Sequence, residues 1–227
     1  ARTPVPQLEP RVLRLTEARS PGIRLAALRA VTRLPGSRAE MALMRALADR
    51  HPPIQAEALD MLVRRGGEKS VTTLIAMLGT ADSLRFHVIR ALGQCRAQAA
   101  ATRLRDLFPQ CGPHEQLQIV SSLHRIAPAW LPEFLLLRLQ SPDLDMRRAA
   151  AQGLAETAGF EHLRVVQGLA EDPDWDIRHS AARGLGRFQS AETRQVLLTL
   201  ARDVETVVAA TARAALEQPP AAVSGVA

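Results

Sequence analysis

The chain has 227 residues, of which 47% are hydrophobic, and it carries a formal net charge of +6. A chain of this length buries roughly 70% of its unfolded surface on folding, so it requires neither disulfides nor a structural metal for stability. Its two cysteines, Cys95 and Cys111, form no CxxC motif and have no metal-ligand spacing with the six histidines. Both are expected to be buried free thiols.

The basic character of the chain comes almost entirely from arginine, because Lys69 is its single lysine. A basic surface attracts nucleic acid through phosphate contacts, but aromatic residues make up only 3% of the chain and none is Tyr, which leaves few side chains to stack on bases. No apolar run reaches the length of a membrane span, and no signal segment opens the chain. We expect a cytoplasmic protein. Because the chain begins at Ala1, the sequence leaves open that it is part of a larger, membrane-anchored protein.

Breaker residues divide the chain into flanks and a long helical region. Residues 1–6 are expected to form a linker and residues 218–227, with tandem prolines, a flexible tail. Residues 7–217 alternate between helices and breakers, without a competing strand pattern. The first helix of each pair, the A helix, is predicted near residues 7–19, 37–50, 68–79, 97–108, 130–140, 160–171 and 190–202. The second, the B helix, is predicted near residues 21–34, 53–65, 82–94, 113–126, 142–157, 173–188 and 204–217.

The same apolar phrase returns in every B helix at an interval of 30 or 31 residues. Its first position, the opener, is held in turn by Ile23, Ile54, Leu84, Glu115, Met146, Ile177 and Val208. Four residues later come Ala27, Ala58, Val88, Ile119, Ala150, Ala181 and Ala212, and eight residues later Val31, Leu62, Leu92, Leu123, Leu154, Leu185 and Leu216. These positions share one stripe of a helix, and a period of this length indicates stacked helical pairs around a continuous core.

Two junctions carry strong helix-start signals, and one repeat departs from the pattern. Ser141-Pro142 and Asp172-Pro173 each pair a capping side chain with a proline suited to the first helical position. The fourth repeat has Glu115 as its opener and follows a Cys-Gly-Pro breaker at residues 111–113. We expect a weaker or differently tilted B helix there.

Several B-helix phrases, at residues 23–28, 146–154 and 177–186, resemble the second helix of HEAT repeats, most closely the short variety of bacterial HEAT-like proteins that includes phycobilin lyase subunits. The resemblance covers about residues 7–217. It implies an all-α fold: a right-handed α-solenoid of about seven HEAT-like helical pairs, with B helices lining the concave side. Such proteins usually serve as scaffolds or adaptors.

The arginine after the opener belongs to the same resemblance. It occurs as Arg24, Arg85, Arg147 and Arg178. The resemblance implies a structural ladder in which these side chains reach acidic residues at the inter-helix turns, here Asp143, Asp145, Asp174 and Asp176. An arginine whose stem packs on the core edge and whose guanidinium meets a carboxylate needs no external partner.

The second and sixth residues after each opener point away from the core stripe, so they are expected to line a concave groove. We predict a groove with an apolar half followed by a cationic half, formed by Leu25, Arg29, Phe86, Arg90, Leu117, Arg148, His179 and Arg183. A peptide or helix with apolar anchors and acidic residues would suit it. In the alternative interpretation, the three apolar residues only thicken the core.

The sequence therefore favours a non-catalytic scaffold that binds a partner protein or peptide, without a cofactor or metal. The alternative is a nucleic-acid-binding HEAT-like protein such as an alkylpurine DNA glycosylase, with Trp130 or Trp175 stacking on a base; phycobilin lyase activity also stays open. HEAT-repeat hydroxylases bind two irons through several His-Glu pairs, whereas this chain has a single such pair, His114-Glu115. No Ser-His-Asp order, phosphate loop or paired-carboxylate arrangement points to another enzyme.

Overall fold

Helices account for all the regular secondary structure in the computed structural model, which describes residues 5–31, 33–34, 37–65, 67–79, 84–188 and 190–217. Within these ranges there are fourteen α-helices and no strand. The A helices are α1 (Val5–Leu15), α3 (Ser37–Ala46), α5 (Glu68–Met77), α7 (Ala101–Leu107), α9 (Leu131–Leu136), α11 (Leu163–Gly168) and α13 (Ala191–Leu200). The B helices are α2 (Pro21–Val31), α4 (Pro52–Arg65), α6 (Arg85–Gln94), α8 (Pro113–Ile126), α10 (Leu144–Thr157), α12 (Trp175–Leu185) and α14 (Thr206–Glu217).

The predicted all-helical fold of repeated helix pairs is confirmed, and every predicted helix is present. The first helix begins at Val5, inside the expected linker of residues 1–6. Residues 1–4 of that linker and the expected tail at residues 218–227 lie outside the described residues. The right hand of the superhelix stays a prediction.

Helix starts follow the breaker residues, with one correction. Proline is the first residue of α2, α4 and α8, as expected. Before α10 and α12, however, the N-cap is the second residue after the predicted one: Asp143 accepts a hydrogen bond from the Asp145 N–H, and Asp174 accepts from the N–H groups of Asp176 and Ile177. The prolines at these two junctions therefore lie in the turn.

The contacts between helices divide the chain into two compact units, Ala1–Ile126 and Ala127–Ala227. In the first unit, called unit 1, each A helix contacts the B helix that follows it, and α2, α4, α6 and α8 pack in sequence order. In unit 2, α9, α11 and α13 likewise contact the B helices that follow them, and α10, α12 and α14 pack in sequence order. Each unit therefore has the nearest-neighbour packing typical of a helical repeat.

The predicted core stripe is buried except at Ile23, which is exposed, and at Glu115 and Leu216, which are half-buried. The openers Ile54, Leu84, Met146, Ile177 and Val208 are at most 8% exposed, and the residue four positions later is buried in all seven repeats. Ile23 is 47% exposed, so its assignment to the core is wrong. No earlier B helix precedes α2 among the described residues, whereas α4, α6, α12 and α14 each pack against the B helix before them.

Successive B helices approach most closely near their C-terminal ends. A Cβ atom at Gly93 of α6 would lie 2.7 Å from the Cα of Ser122 in α8, and one at Gly186, after α12, would lie 2.9 Å from the Cβ of Ala215 in α14. Ser122 is fully buried and donates a 2.9 Å hydrogen bond to the Ile89 carbonyl. Small residues at these contacts therefore set how closely neighbouring repeats pack.

Candidate functional site

Three arginines that follow an opener hydrogen-bond to the turn before their own B helix. The side chains of Arg24, Arg147 and Arg178 each donate to the two backbone carbonyls six and five residues earlier. These donors satisfy carbonyl groups of the A-to-B turn that are outside helical hydrogen bonding. Each of these three arginines therefore stabilises the turn that precedes its own B helix.

Two of these arginines also bind the next repeat. Arg24 forms a bidentate pair with Asp49, with N–O distances of 2.7 and 2.9 Å, and Arg178 forms the same pair with Asp203 at 2.7 and 3.0 Å. In both pairs the aspartate lies 25 residues after the arginine and follows an A helix. The predicted partners Asp143, Asp145 and Asp176 do not make these contacts, because the carboxylate that is in reach precedes the opener of the next repeat by five residues.

A third ladder contact uses a different arginine from the one predicted. Arg148, which we expected in the cationic half of the groove, forms a bidentate pair with Asp174 at 3.0 and 2.6 Å. Asp145 and Asp176 lie 3.9 Å from its guanidinium. The bidentate contact between repeats is therefore made by the residue two after the opener, while Arg147 contacts its own turn.

The unusual opener Glu115 is part of the ladder. It lies 3.8 Å from the guanidinium of Arg85, the arginine of the preceding repeat. The position 25 residues after Arg85 is Gln110, which has no charge. A carboxylate at the opener thus takes the place of the missing turn aspartate. The helix α8 is unbroken over Pro113–Ile126, and the weaker or differently tilted helix stays a prediction.

The ladder carboxyls are held in their ionised form. Hydrogen bonding to Arg24 lowers the pKa of Asp49, with burial acting in the opposite direction. In the same way, Arg148 lowers the pKa of Asp174, and Arg178 lowers that of Asp203. These three carboxyls therefore favour the folded state at neutral pH.

In unit 1 the predicted groove residues form an apolar row. Leu25, Phe86 and Leu117 occupy the second position after the opener on α2, α6 and α8, and Ala56 occupies it on α4. Because these helices pack in sequence order, the four side chains lie along one face. Phe86 is 37% exposed, whereas the leucines are half-buried. Part of each leucine contributes to the core, and part of the row stays accessible.

Arginines border this apolar row. Arg29 is exposed and pairs with Glu57 of α4 at 3.3 Å, and Arg90 is half-buried on α6. The pair Arg29–Glu57 joins two neighbouring B helices along the side of the row. Since both side chains are partly exposed, the pair contributes little to stability.

In unit 2 the corresponding positions of α10 and α12 are polar, and both of their arginines, Arg148 and Arg183, pair with carboxylates. Arg183 of α12 lies 3.0 Å from Glu156 of α10, and both side chains are partly exposed. His179 is half-buried on the same helix. A cavity of about 400 Å³ opens between α10, α12 and α14 and is lined by Glu156, Arg183, Arg187 and Thr211 together with small residues. The predicted cationic half is therefore a face of arginine–carboxylate pairs.

Three other residues singled out from the sequence are Cys111, Trp130 and Trp175. Cys111 is buried, and burial together with a hydrogen bond to Glu115 raises the pKa of its thiol to about 11. Trp130 is half-buried and packs edge-on against Phe134 at a ring distance of 5.9 Å. Trp175 is 42% exposed at the start of α12.

The described residues offer no cluster of metal ligands. Among them, no three His, Cys, Asp or Glu side chains lie close enough together to hold a metal ion. None of the helices in this part of the chain is both long enough and apolar enough to cross a membrane.

Solved structures with the same architecture include the complex of CpcE and CpcF of phycocyanin lyase from Nostoc sp. PCC7120. It is 20% identical over 95% of this chain and 88% of that chain, with a TM-score of 0.53. An engineered protein is also 20% identical, over 83% of this chain and 95% of that chain, with a TM-score of 0.53. At this identity the similarity shows the fold alone.

The sequence of the chain matches a family profile even though no protein of curated function matches it significantly. The profile for HEAT repeats matches residues 8–85 and 132–217, which is more than half of the chain. Together with the packing of helical pairs in sequence order, this match shows that the chain belongs to the HEAT-repeat family.

Proposed function

We propose that this protein is a non-catalytic interaction scaffold that binds a partner protein or peptide along the exposed face of its B helices. One observation carries the proposal: all eight predicted groove residues remain exposed or half-buried, whereas the residues of the core stripe on the same helices are almost all buried. A repeated helix thus supplies both a packing stripe and an accessible stripe. Extended accessible faces of this kind suit binding of extended partners.

The two units offer the partner different chemistry. In unit 1, the row of Leu25, Ala56, Phe86 and Leu117 would accept apolar anchors, with Arg29 and Arg90 alongside for acidic residues. In unit 2, the cavity beside Arg183 and Glu156 would accept a polar side chain that exchanges hydrogen bonds with this pair. The partner we propose therefore has apolar anchors and a separate polar segment.

A pull-down with matched variants tests this proposal. Phe86→Ser combined with Leu117→Ser is expected to lower partner recovery about tenfold or more, since buried anchors dominate such interfaces. Met41→Ser on α3 is the control, because Met41 is also exposed but lies on an A helix. Circular dichroism and thermal melting verify that each variant is folded. Unchanged recovery by the folded double variant would remove the B-helix face as the binding site.

Binding to a random DNA duplex distinguishes the scaffold from a nucleic-acid-binding protein. We expect no binding at low salt, because Arg24, Arg148 and Arg178 are held by carboxylates at the turns. Tight binding that falls steeply with salt would overturn the scaffold proposal, since such a slope reports release of phosphate counterions.

A further inference from the structure

A second accessible site lies on the A-helix side of unit 2, away from the B-helix face. It is a cleft of about 620 Å³ between the end of α11, with the 3-10 turn Leu169–Glu171 that follows, and α13. Ala170, Val196 and Leu200 supply apolar lining. A volume of this size falls in the range of ligand-binding clefts.

The charge of the cleft is opposite to that of the chain. Glu171 lies on one wall and Glu192 on the other, both side chains are exposed, and the lining includes no basic residue. The whole chain, by contrast, carries a net charge of +6. A lining that combines two carboxylates with apolar side chains, beside the neutral polar residues Gln167, Gln195 and Thr199, favours a ligand with an aliphatic stem and a cationic end.

Gly168 leaves open space on the α11 wall of the cleft. Its backbone is helical, with φ −61° and ψ −31°, and a Cβ atom placed on it would meet no heavy atom within 4 Å. Neither the backbone conformation nor a close contact requires glycine here. Gly168 is the last residue of α11, so it keeps this end of the cleft open without contributing to packing. It leaves room for a ligand.

We propose that this cleft binds an arginine side chain presented by a peptide segment of a partner protein. The aliphatic stem would lie against Val196 and Leu200, and the guanidinium between Glu171 and Glu192. The walls of the cleft are exposed, so one side of a bound ligand stays in water. A peptide backbone is solvated there, and a side chain attached to a peptide therefore suits the cleft better than a free amine does. The site is independent of the proposed B-helix function and would make the scaffold bivalent.

An NMR titration of the full chain tests the chemistry of the ligand. The probes are the peptide acetyl-Gly-Leu-Arg-Leu-Gly-amide, the same peptide with citrulline, which is a neutral isostere of arginine, and agmatine, which has the guanidinium without a peptide. We expect the methyl signals of Val196 and Leu200 to shift with the arginine peptide and affinity to fall at least about threefold with citrulline, in line with exposed ion pairs. Equal affinity for citrulline would overturn the cationic ligand, and tighter binding of agmatine than of the peptide would overturn the peptide source.

Variants locate the site. Gly168→Met fills the cleft and is expected to abolish binding of the arginine peptide without lowering the thermal midpoint. Gly112→Met is the control, because a Cβ atom placed on Gly112 would likewise meet no heavy atom within 4 Å, but Gly112 lies in unit 1. Glu171→Gln with Glu192→Gln, two exposed changes that preserve the fold, is expected to weaken binding about tenfold. Wild-type affinity in either cleft variant would overturn the proposal.

Discussion

The two units share one repeat phrase and the same two kinds of contact between repeats, but in different proportions. In unit 2, α10 and α12 have aspartate caps, α13 begins with a capping box of Ser190 and Thr193, and Arg–Asp pairs join consecutive turns. In unit 1, α5 and α6 begin without a side-chain cap, and α6 and α8 meet through Gly93 and Ser122. Unit 1 also has one turn pair, Arg24–Asp49, and unit 2 also has a close approach of Gly186 to Ala215. The comparison teaches that neighbouring repeats can be joined by ion pairs at their turns or by close contacts along their helices without losing the common core.

The same difference extends to the B-helix face. Residues two positions after the opener are apolar in every repeat of unit 1, whereas unit 2 has Arg148 and His179 on α10 and α12. Arg148 is part of the turn ladder. In unit 2, therefore, residues of the predicted groove also stabilise the fold, and in unit 1 they do so only through partial burial.

The largest expected effect tests the helix contact of unit 1. Gly93→Leu should reduce the free energy of unfolding by about 3 kcal/mol or more, because the new side chain would collide with the backbone at Ser122. Gly168→Leu in unit 2 is the matched control, since its side chain would enter open space. Urea unfolding monitored by circular dichroism measures both. Equal stability of the two variants would contradict the close contact between α6 and α8.

A smaller effect tests the turn ladder of unit 2. Asp203→Ala removes two hydrogen bonds from Arg178 and one from the Glu205 N–H, and should reduce the free energy of unfolding by about 2 kcal/mol. Asp106→Ala is the control, because Asp106 pairs with Arg105 at an exposed site, where such a pair is worth at most about 1 kcal/mol. If the two substitutions cost the same in urea unfolding, the ladder does not stabilise unit 2.

The pH dependence of stability sharpens the comparison. The pKa values of Asp49, Asp174 and Asp203 are lowered in the folded state, so their contribution is complete above the unfolded value of about 4 and is lost as pH falls through the folded values. Two of these carboxyls belong to unit 2 and one to unit 1. Asp174→Asn with Asp203→Asn should therefore flatten the acid loss of stability more than Asp49→Asn does. Urea midpoints between pH 7 and 2.5 measure the slopes, and parallel slopes would refute this assignment.

The smallest expected effect concerns the first residue of unit 2. Ala127 has φ 53°, in the left-handed region that favours glycine. Ala127→Gly should raise the free energy of unfolding by about 0.5 kcal/mol, the relief of strain being partly offset by the entropy of the unfolded chain. Ala129→Gly, at an exposed residue without positive φ, should lower it instead. A decrease for both would show that Ala127 is not strained.

The fold was predictable from sequence because its signals are local and repeated. The interval of the phrase from Ile54 to Val208 reports the packing stripe directly, and seven copies average out the deviation at Glu115. The ladder was only partly predictable, because the pairs Arg24–Asp49 and Arg178–Asp203 depend on how far one repeat advances along its neighbour, which no local pattern records. A search for aspartates five residues before an opener would have found both carboxylates.

Features between A helices could not be predicted from the sequence, because they too depend on how neighbouring repeats are placed. The cleft between α11 and α13 depends on the spacing of two helices that have no shared phrase. Gly168 was its one signal, since a glycine within a predicted helix normally indicates a close contact or a turn. Only the three-dimensional structure shows that neither is present.

The attachment of α12 to α14 at both ends has a mechanical consequence. Arg178 near the start of α12 binds Asp203 just before α14, and Gly186 just beyond the end of α12 meets Ala215 near the end of α14. A helix attached to its neighbour at one point can change its angle to that neighbour, whereas a helix attached at two points keeps this angle. Cutting the polar attachment alone should therefore loosen the angle between α12 and α14, while the pair Arg148–Asp174 still holds the start of α12 against the repeat of α10.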